Sequence, residues 1–207
     1  MKTRAAIHVG FGQPLVVEEI ELPDPGPNQV RVKHFASGVC HSQLHQLARP
    51  TQPTPTIIGH ESTGVVTAVG CRVVHVKEGD HVMTTWLPRD GHPTPSDGFE
   101  GVTFRGEQLK ISGEFRWAED VIIDQHLVVR MDPGIPTDVT SIVGCAVMTG
   151  CGAAMNTAGV RPGNSVAVFG VGGVGLSVVA ACANLSADPV IVVDLADEKL
   201  EFAKKFG

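Results

Sequence analysis

A glycine-rich turn, Gly170-Val171-Gly172-Gly173-Val174-Gly175, constrains the fold of this chain more than any other sequence feature. The residues before it, 165–170, are a continuous apolar stretch of the kind that forms strands in parallel sheets, and an apolar helical stretch, 174–185, follows. A second apolar stretch, 190–194, ends on Asp194, about 20 residues after the turn. This order predicts a β-α-β unit with two buried parallel strands, followed by an amphipathic helix over 198–206.

Each glycine of this turn has a physical role in holding a phosphate group. Gly170 permits the tight turn, Gly172 lets the backbone approach a pyrophosphate, and Gly175 lets helix and strand pack closely. The helix N-terminus adds N–H donors and positive potential. Asp194 would accept hydrogen bonds from ribose hydroxyls and repel a 2′-phosphate, which favours NAD over NADP. The alternative interpretation is a generic β-turn-α unit with packing glycines.

The first two-thirds of the chain has the pattern of a β protein. Short runs rich in Val, Ile and Phe alternate with turns rich in Gly and Pro, of which the whole chain has 24 and 14. Residues 88–116 predict a long surface loop with room for one short hairpin, and residues 139–158 predict a buried helix. Many short strands of this kind indicate a barrel or sandwich. The predicted strands are residues 4–9, 15–20, 30–35, 63–69, 81–86, 121–123 and 127–130.

Charge and hydropathy exclude several classes of partner. The net charge is −6 without a block of Lys or Arg, which argues against binding to nucleic acid or to an anionic membrane. No apolar run approaches the roughly 18 residues of a membrane span, and the start lacks the apolar core of a signal peptide. A cytoplasmic protein is expected. Its five cysteines have no disulfide-like spacing, so they are expected to be buried apolar residues, metal ligands or nucleophiles.

Three further segments carry side chains that can bind a metal or transfer a proton. They are Gly38-Val39-Cys40-His41-Ser42-Gln43-Leu44-His45, Gly59-His60-Glu61-Ser62-Thr63-Gly64 and Gly144-Cys145-Ala146-Val147-Met148-Thr149-Gly150. Taken singly, each has a plain structural interpretation, because a lone Cys is usually a small buried apolar residue and a lone His is usually a surface or core residue. Together, ahead of the glycine-rich turn, they form one constellation.

With these motifs the whole chain resembles the zinc-containing alcohol dehydrogenase branch of the medium-chain dehydrogenase/reductase superfamily. The most specific matches are the Gly-His-Glu-x-x-Gly run of residues 59–64 and the glycine-rich turn. The resemblance implies a GroES-like β-barrel catalytic domain over residues 1–146 and the start of a Rossmann doubly wound domain over residues 147–207. The fold class is thus α/β plus β, and the chain is expected to be the truncated N-terminal part of a longer enzyme.

The resemblance implies a catalytic zinc held by Cys40, His60 and Cys145. Two thiolates and an imidazole with an open fourth position are a catalytic arrangement, in which water or the substrate oxygen takes the fourth place. Glu61 would be a carboxylate behind the metal, with a plain salt bridge as the alternative. One zinc ion is expected, because residues 72–144 contain none of the cysteines that bind a structural zinc in many relatives.

The resemblance also assigns a proton path and a pocket wall. Ser42 would take the alcohol proton and pass it through the nicotinamide ribose to His45, which releases it to solvent. The alternative for His45 is an ordinary helix-surface histidine. Trp86 would form an aromatic wall of the substrate pocket, or else a core aromatic at the end of a strand.

The implied second cofactor is NAD. Its pyrophosphate would contact His41, its nicotinamide ring Thr149 and Val174, and its adenosine ribose Lys199, which is equally well a solvated helix lysine. The full set implied for the cofactor is His41, Thr149, Gly170, Gly172, Gly173, Val174, Gly175, Asp194 and Lys199.

Gln43 departs from the family pattern, since relatives usually place an acidic residue there, against the zinc-ligand histidine. A carboxylate raises the basicity of such a ligand and fixes its tautomer. A glutamine carbonyl could orient the ring but adds no charge.

The implied reaction interconverts an alcohol and an aldehyde or ketone with hydride transfer to or from NAD. The expected partner is a small-molecule alcohol or aldehyde, and the full-length form is expected to be a homo-oligomer. One alternative is a zinc-free reductase acting on enones or quinones, against which the complete ligand set argues. The other is a truncated, catalytically silent zinc-binding or assembly module.

Overall fold

A computed structural model describes residues 1–92, 101–109, 111 and 115–207 of the chain. The chain divides into two compact units, Met1–Gly144 and Cys145–Gly207. The first unit holds the β-rich sequence and the second holds the glycine-rich turn. No helix in the described ranges is long and apolar enough to cross a membrane.

The first unit contains two five-stranded sheets whose strand pairs are antiparallel. Its strands are β1 (Lys2–His8), β2 (Val16–Glu21), β3 (Gln29–Ser37), β4 (Thr56–Ile57), β5 (Ser62–Val69), β6 (His81–Thr84), β7 (Thr103–Phe104), β8 (Glu107–Gln108), β9 (Asp120–Asp124) and β10 (Val128–Arg130). One sheet has the order β4-β1-β2-β7-β8 and the other the order β10-β6-β5-β3-β9. Helix α1 (His41–Leu47) follows β3, and the short helix α2 (Thr137–Thr140) follows β10.

Alternating side chains of both sheets form the core of this unit. Ala5 and Ile7 of β1 are buried while Arg4 is exposed. Val30 and Val32 of β3 are buried with the same spacing of two residues. Successive side chains of a strand point to opposite faces, so a period of two buries one face of each sheet. The prediction of a β-rich first domain with many short strands is confirmed.

The segment predicted as a long surface loop contributes instead to this core. Strands β7 and β8 form a hairpin whose turn residues, Arg105 and Gly106, have φ of 54° and 80°, the left-handed geometry of a tight two-residue turn. On each side of the hairpin turn only two apolar residues alternate, Val102 with Phe104 and Leu109 with Ile111, and so short a run does not establish a strand period in the sequence. The buried ones are Val102, Phe104, Leu109, Ile111 and Phe115. The prediction for 93–100, 110 and 112–114 lies outside the described residues.

The second unit is the predicted β-α-β unit. Strands β11 (Val166–Phe169) and β12 (Val190–Val193) pair in parallel, and α4 (Gly173–Asn184) connects them. Helix α3 (Met148–Gly152) packs against α4, and α5 (Asp197–Ala203) follows β12. The helix predicted over 139–158 is interrupted, because π-helical turns at Val143–Val147 and Ala153–Thr157 flank α3.

The two parallel strands are covered on one face only, which corrects the prediction of strands buried on both. Val168 is buried, whereas Phe169 and Ile191 expose 79% and 52% of their surface and Val193 exposes 44%. A parallel strand is buried on both faces only where helices cover both sides of the sheet. The described elements cover the face that carries Val168.

Candidate functional site

Cys40 and His60 are brought together by the pairing of β3 with β5. Ser37 at the end of β3 lies opposite Ser62 at the start of β5, so the residues just after β3 and just before β5 are neighbours. The Cys40 Sγ, a His60 ring nitrogen and a Glu61 carboxylate oxygen all lie within 4.8 Å of one another. His60 and Glu61 are buried. Thiolate, imidazole and carboxylate are the donor types that bind zinc, so the first unit brings together three predicted site residues in a chemically suitable cluster.

The Glu61 carboxylate is buried. It makes no ion pair within the described residues, which rules out the salt-bridge alternative there, and its Oε2 has no hydrogen-bond partner in them. Burial raises the pKa of the Glu61 carboxyl to about 7. A Cβ at Gly38 would lie 2.5 Å from the Glu61 Cδ, so glycine is what makes room for this side chain. A buried carboxylate oxygen without a partner is well suited to face a cation.

Arg116 places a positive charge close to this cluster. Its side chain is 1% exposed and donates a hydrogen bond from Nη2 to the Thr85 carbonyl at 3.2 Å. Burial, and secondly the Arg116 guanidinium, lower the pKa of the His60 imidazole. The ring is therefore held in the neutral form, which is the form that binds metals.

Cys40 is the N-cap residue of helix α1, which begins at His41. The Ser42 hydroxyl donates to the Cys40 Sγ at 3.3 Å. The Gln43 side chain is fully buried, and its Oε1 accepts a hydrogen bond from the Cys40 backbone N–H at 2.9 Å. The Gln43 Oε1 therefore caps the start of the helix. The sequence predicts a different role for it, which is to orient the ring of the zinc-ligand histidine. The Gln43 Nε2 has no partner among the described residues.

His41 and His45 lie one helical turn apart on the exposed side of α1. Their ring centroids are 5.0 Å apart, and the ring planes meet at 52°. Both side chains are exposed to solvent.

Cys145 is the first residue of the second unit and is buried. The preceding residue, Gly144, is fixed in the first unit, because its carbonyl accepts a hydrogen bond from the Thr85 Oγ1 at 3.0 Å. A Cβ at Gly144 would lie 2.1 Å from the Thr84 carbonyl oxygen, so the chain there passes close to the end of β6. Trp86, two residues beyond β6, exposes 40% of its surface and is not the core aromatic of the alternative interpretation.

A cavity of about 660 Å³ opens in the first unit beside α1. Most of its lining is apolar and comes from β1, β2, β3 and α1, while Arg4, His34, Ser37, Arg116 and Glu119 contribute polar or charged groups. Trp86 is not among the residues that line this cavity.

The glycine-rich turn of the second unit has the geometry expected of each of its glycines. Gly170 adopts φ of +87°, a conformation that favours glycine. A Cβ at Gly175 would lie 1.9 Å from the Gly170 carbonyl oxygen, so this position requires glycine for close packing. A Cβ at Gly172 would meet no atom of the described chain within 4 Å. The turn therefore presents an open backbone surface at Gly172, and this fits the close approach of a phosphate group.

Asp194 is tied to this turn by hydrogen bonds. Its carboxylate accepts from the Val171 N–H at 2.9 Å and from the Ala196 N–H at 3.1 Å, and the Lys199 Nζ lies 3.9 Å from it. These groups, with the Val171 N–H foremost, lower the pKa of the Asp194 carboxyl. The acid predicted to contact the ribose is thus ionised and held beside the glycine-rich turn.

The other predicted cofactor residues lie on the exposed start of α4 and its neighbour α3. Gly173, Val174 and Thr149 are exposed to solvent. A Cβ at Gly150 would lie 2.4 Å from the Val174 carbonyl oxygen, so α3 and α4 approach closely at this point.

Sequence reasoning missed a partly buried hydrogen-bonded chain through His34. The His34 Nδ1–H donates to the Ala118 carbonyl at 2.8 Å, and its Nε2 accepts from the Ser62 Oγ at 2.8 Å. The Ser62 Oγ is 2.7 Å from the Thr84 Oγ1. Burial lowers the pKa of His34 to about 4. Neither His34 nor Arg116 stands in a motif, so no sequence signal marks either residue.

Comparisons with known proteins place this architecture in a family. A model of the alcohol dehydrogenase GroES-like domain matches residues 26–133. A Mycobacterium tuberculosis protein named "Putative alcohol dehydrogenase D" is 35% identical over all of this chain and 62% of its own length. An alcohol dehydrogenase zinc-binding domain protein from Burkholderia ambifaria superimposes with a TM-score of 0.93 at 28% identity, again over all of this chain and 62% of that one. Benzyl alcohol dehydrogenase from Acinetobacter calcoaceticus gives a TM-score of 0.87 at 26% identity, with the same coverage.

Proposed function

The chain belongs to the zinc-containing alcohol dehydrogenase family of the medium-chain dehydrogenase/reductase superfamily, of which it carries the N-terminal portion, and from this premise we propose that it is part of an NAD-linked oxidoreductase. The proposed reaction interconverts a small alcohol and an aldehyde or ketone. Because the chain spans 62% of the length of the relatives it matches, the activity proposed is that of the whole protein.

The observation that carries the proposal is the cluster of Cys40, His60 and Glu61, in which His60 and Glu61 are buried. We propose that Cys40 and His60 bind one zinc ion together with Cys145. Two facts support Cys145: it is buried, and the residue before it is anchored by the Thr85 hydroxyl. In the proposed holoprotein Glu61 is the carboxylate behind the metal, and its Oε2 lacks a hydrogen-bond partner within the described ranges.

When bound, zinc would supply Lewis-acid polarisation of the substrate oxygen and the nicotinamide would exchange a hydride with the substrate carbon. The residues of the chain position these groups and move the proton. The neutral state of His60 keeps its ring nitrogen available as a donor to a metal. The Ser42 hydroxyl, held 3.3 Å from the Cys40 Sγ, is close enough to the cluster to accept the alcohol proton. His45 on the exposed side of α1 would pass that proton to solvent.

The glycine-rich turn supports NAD as the second cofactor. Gly172 leaves space for a pyrophosphate, and the backbone N–H groups at the start of α4 would donate to it. The ionised Asp194 would accept ribose hydroxyls and repel a 2′-phosphate. His41, Thr149, Val174 and Lys199 remain proposed contacts of the same cofactor.

Zinc analysis of the purified chain, expressed with added zinc, tests the metal assignment. We expect about one zinc per chain, near-complete loss in Cys40→Ser, and retention in Cys71→Ser, whose exposed cysteine serves as the matched control. A chain without zinc, or equal loss in both variants, would overturn the ligand assignment.

NAD titration of the whole protein, and its formation of NADH from a panel of small alcohols, test the reaction. Saturable NAD binding with NADH formation supports the dehydrogenase. Zinc retention without NADH formation from any alcohol would favour the catalytically silent zinc-binding module instead.

A further inference from the structure

The two exposed imidazoles of α1 have the spacing of a chelating pair. His45 lies four positions after His41 on one helix, which places their side chains on the same face about one turn apart. Their ring centroids are 5.0 Å apart and their planes are inclined by 52°. Neither ring is buried, so both are accessible to an ion from solution.

The distance between the rings fits the geometry of a shared metal ion. An imidazole nitrogen binds a divalent ion such as zinc at about 2.0–2.1 Å, which places the ion roughly 3.2 Å from the ring centroid. Two rings bound at a right angle would then have centroids roughly 4.5 Å apart, and two bound at a tetrahedral angle roughly 5.2 Å apart. The 5.0 Å between His41 and His45 lies between these two values.

A second histidine pair shows what an unsuitable arrangement looks like. The rings of His92 and His126 are stacked, with centroids 3.8 Å apart and planes inclined by 24°. The lone pairs of imidazole nitrogens lie in the ring plane, so those of nearly parallel stacked rings do not converge on one point. The pair on α1 is tilted and farther apart, which allows two nitrogens to converge.

We propose that His41 and His45 form a surface chelate for a divalent transition-metal ion, separate from the cluster of Cys40, His60 and Glu61. Two imidazole nitrogens would bind the ion and water would complete its coordination. Imidazole ligands suit copper, nickel and zinc, and in the Irving–Williams series Cu²⁺ binds more tightly than either Ni²⁺ or Zn²⁺. If the proposed proton path is correct, an ion here would occupy the His45 ring nitrogen and inhibit proton release; this consequence alone rests on the proposed function.

Calorimetric titration of the zinc-loaded chain with Ni²⁺ tests the proposal. We expect one Ni²⁺ site in the wild type, weakened roughly 100-fold in either His41→Asn or His45→Asn, because a chelate loses most of its avidity with one arm. His92→Asn removes an exposed histidine from the stacked pair and is the matched control, for which an unchanged affinity is expected. Far-ultraviolet circular dichroism of each variant establishes that it is folded.

Zinc release, followed with a chromogenic indicator during the titration, separates the two metal sites. Ni²⁺ binding without zinc release, and dependent on both His41 and His45, supports the chelate. Ni²⁺ binding that is unaffected by either substitution, that is weakened equally in His92→Asn, or that appears only as zinc is released would overturn it. The readout uses neither NAD nor turnover, so it stands whether or not the proposed dehydrogenase activity is found.

Discussion

The two candidate sites of this chain are built in opposite ways. The cluster of Cys40 and His60 is assembled by long-range pairing of β3 with β5, and its groups are mostly buried. The glycine-rich turn is built from six consecutive residues, and Gly172, Gly173 and Val174 are exposed. The first site therefore depends on how a whole sheet is packed, whereas the second depends on the local conformation and steric demands of a few glycines.

Two carboxylates show the same contrast in electrostatics. Burial raises the pKa of Glu61 to about 7, whereas backbone N–H donors lower the pKa of Asp194. Desolvation disfavours a charged carboxylate, and hydrogen bonds to the charged form favour it. A cation bound beside Glu61 would stabilise its negative charge, whereas hydrogen bonds within the chain already stabilise that of Asp194.

The largest expected effect tests the dependence of the first site on sheet packing. A Cβ at Gly64 in β5 would lie 2.2 Å from the Lys33 carbonyl oxygen in β3. Gly64→Ala must therefore push the two strands apart, and we expect it to lower the free energy of unfolding by on the order of 3 kcal/mol. Because the same strands hold Cys40 and His60 together, zinc retention should fall as well. Urea unfolding and zinc analysis measure the two effects.

Gly10→Ala is the control for this substitution. A Cβ at Gly10 would have its nearest contact at 3.5 Å, an ordinary van der Waals distance. We expect it to change the free energy of unfolding by less than about 0.5 kcal/mol. Wild-type zinc retention in Gly64→Ala would contradict the idea that β3–β5 pairing forms the metal centre.

Two glycines of the turn should separate stability from cofactor binding. In Gly175→Ala the new Cβ would lie 1.9 Å from the Gly170 carbonyl oxygen, so we expect a loss of about 2 to 3 kcal/mol together with loss of NAD binding. In Gly172→Ala the new Cβ enters open space, so the loss should stay below about 1 kcal/mol, the usual cost of Ala at an N-cap. Its NAD affinity should nevertheless fall at least about tenfold. Thermal unfolding and NAD titration measure both; equal NAD affinity in Gly172→Ala and wild type would argue against phosphate approach at this point.

The contrast between the sites also explains what could be predicted from the sequence. The glycine-rich turn could be predicted because its conformation depends on neighbouring residues alone. The positive φ of Gly170 and the tight contact at Gly175 both arise within one short segment. Cys40 and His60 were identifiable through their motifs, and their proximity then followed from strand pairing. Arg116 and His34 could not be identified from the sequence, because the burial of an isolated charged or polar residue depends on packing from distant segments.

An acid-dependent loss of stability should mark the hydrogen-bonded chain through His34. The folded ring takes up a proton only at about pH 4, whereas the unfolded one does so near its ordinary pKa of 6.5. Between these values the unfolded state binds more protons, so stability falls as the pH drops from 6.5 to 4. We expect His34 to contribute a loss of about 2 kcal/mol across this range, and this contribution is absent from His34→Gln because that side chain does not titrate. Urea unfolding at pH 7 and pH 4.5 measures it.

His92→Asn is the matched control for the acid limb. Its ring is exposed, so wild-type pH dependence is expected in this variant. His34→Gln should also be less stable at pH 7, since the amide cannot reproduce both hydrogen bonds of the ring. An acid limb that is as steep in His34→Gln as in wild type would assign the proton uptake to another group.

The smallest expected effect concerns the choice of cofactor at Asp194. Asp194→Asn removes the negative charge but keeps one acceptor for the Val171 or Ala196 N–H, so the turn should persist. We expect about tenfold weaker NAD binding, equivalent to about 1.4 kcal/mol. We also expect a smaller ratio of NAD affinity to NADP affinity, because the repulsion of a 2′-phosphate is lost. Asp197→Asn, on the exposed first turn of α5, should leave both affinities unchanged.

The pH dependence of this last effect distinguishes the two kinds of site. Backbone N–H groups hold the pKa of Asp194 below its ordinary value, so the residue stays ionised throughout the neutral range. Titration of Asp194 should therefore not change the ratio of NAD to NADP affinity between pH 6 and pH 8 in the wild type. The 2′-phosphate of NADP itself titrates in this range, and control measurements with NADP at each pH reveal that contribution. A preference for NAD that persists in Asp194→Asn would mean that the shape of the turn, rather than the charge beside it, excludes the additional phosphate.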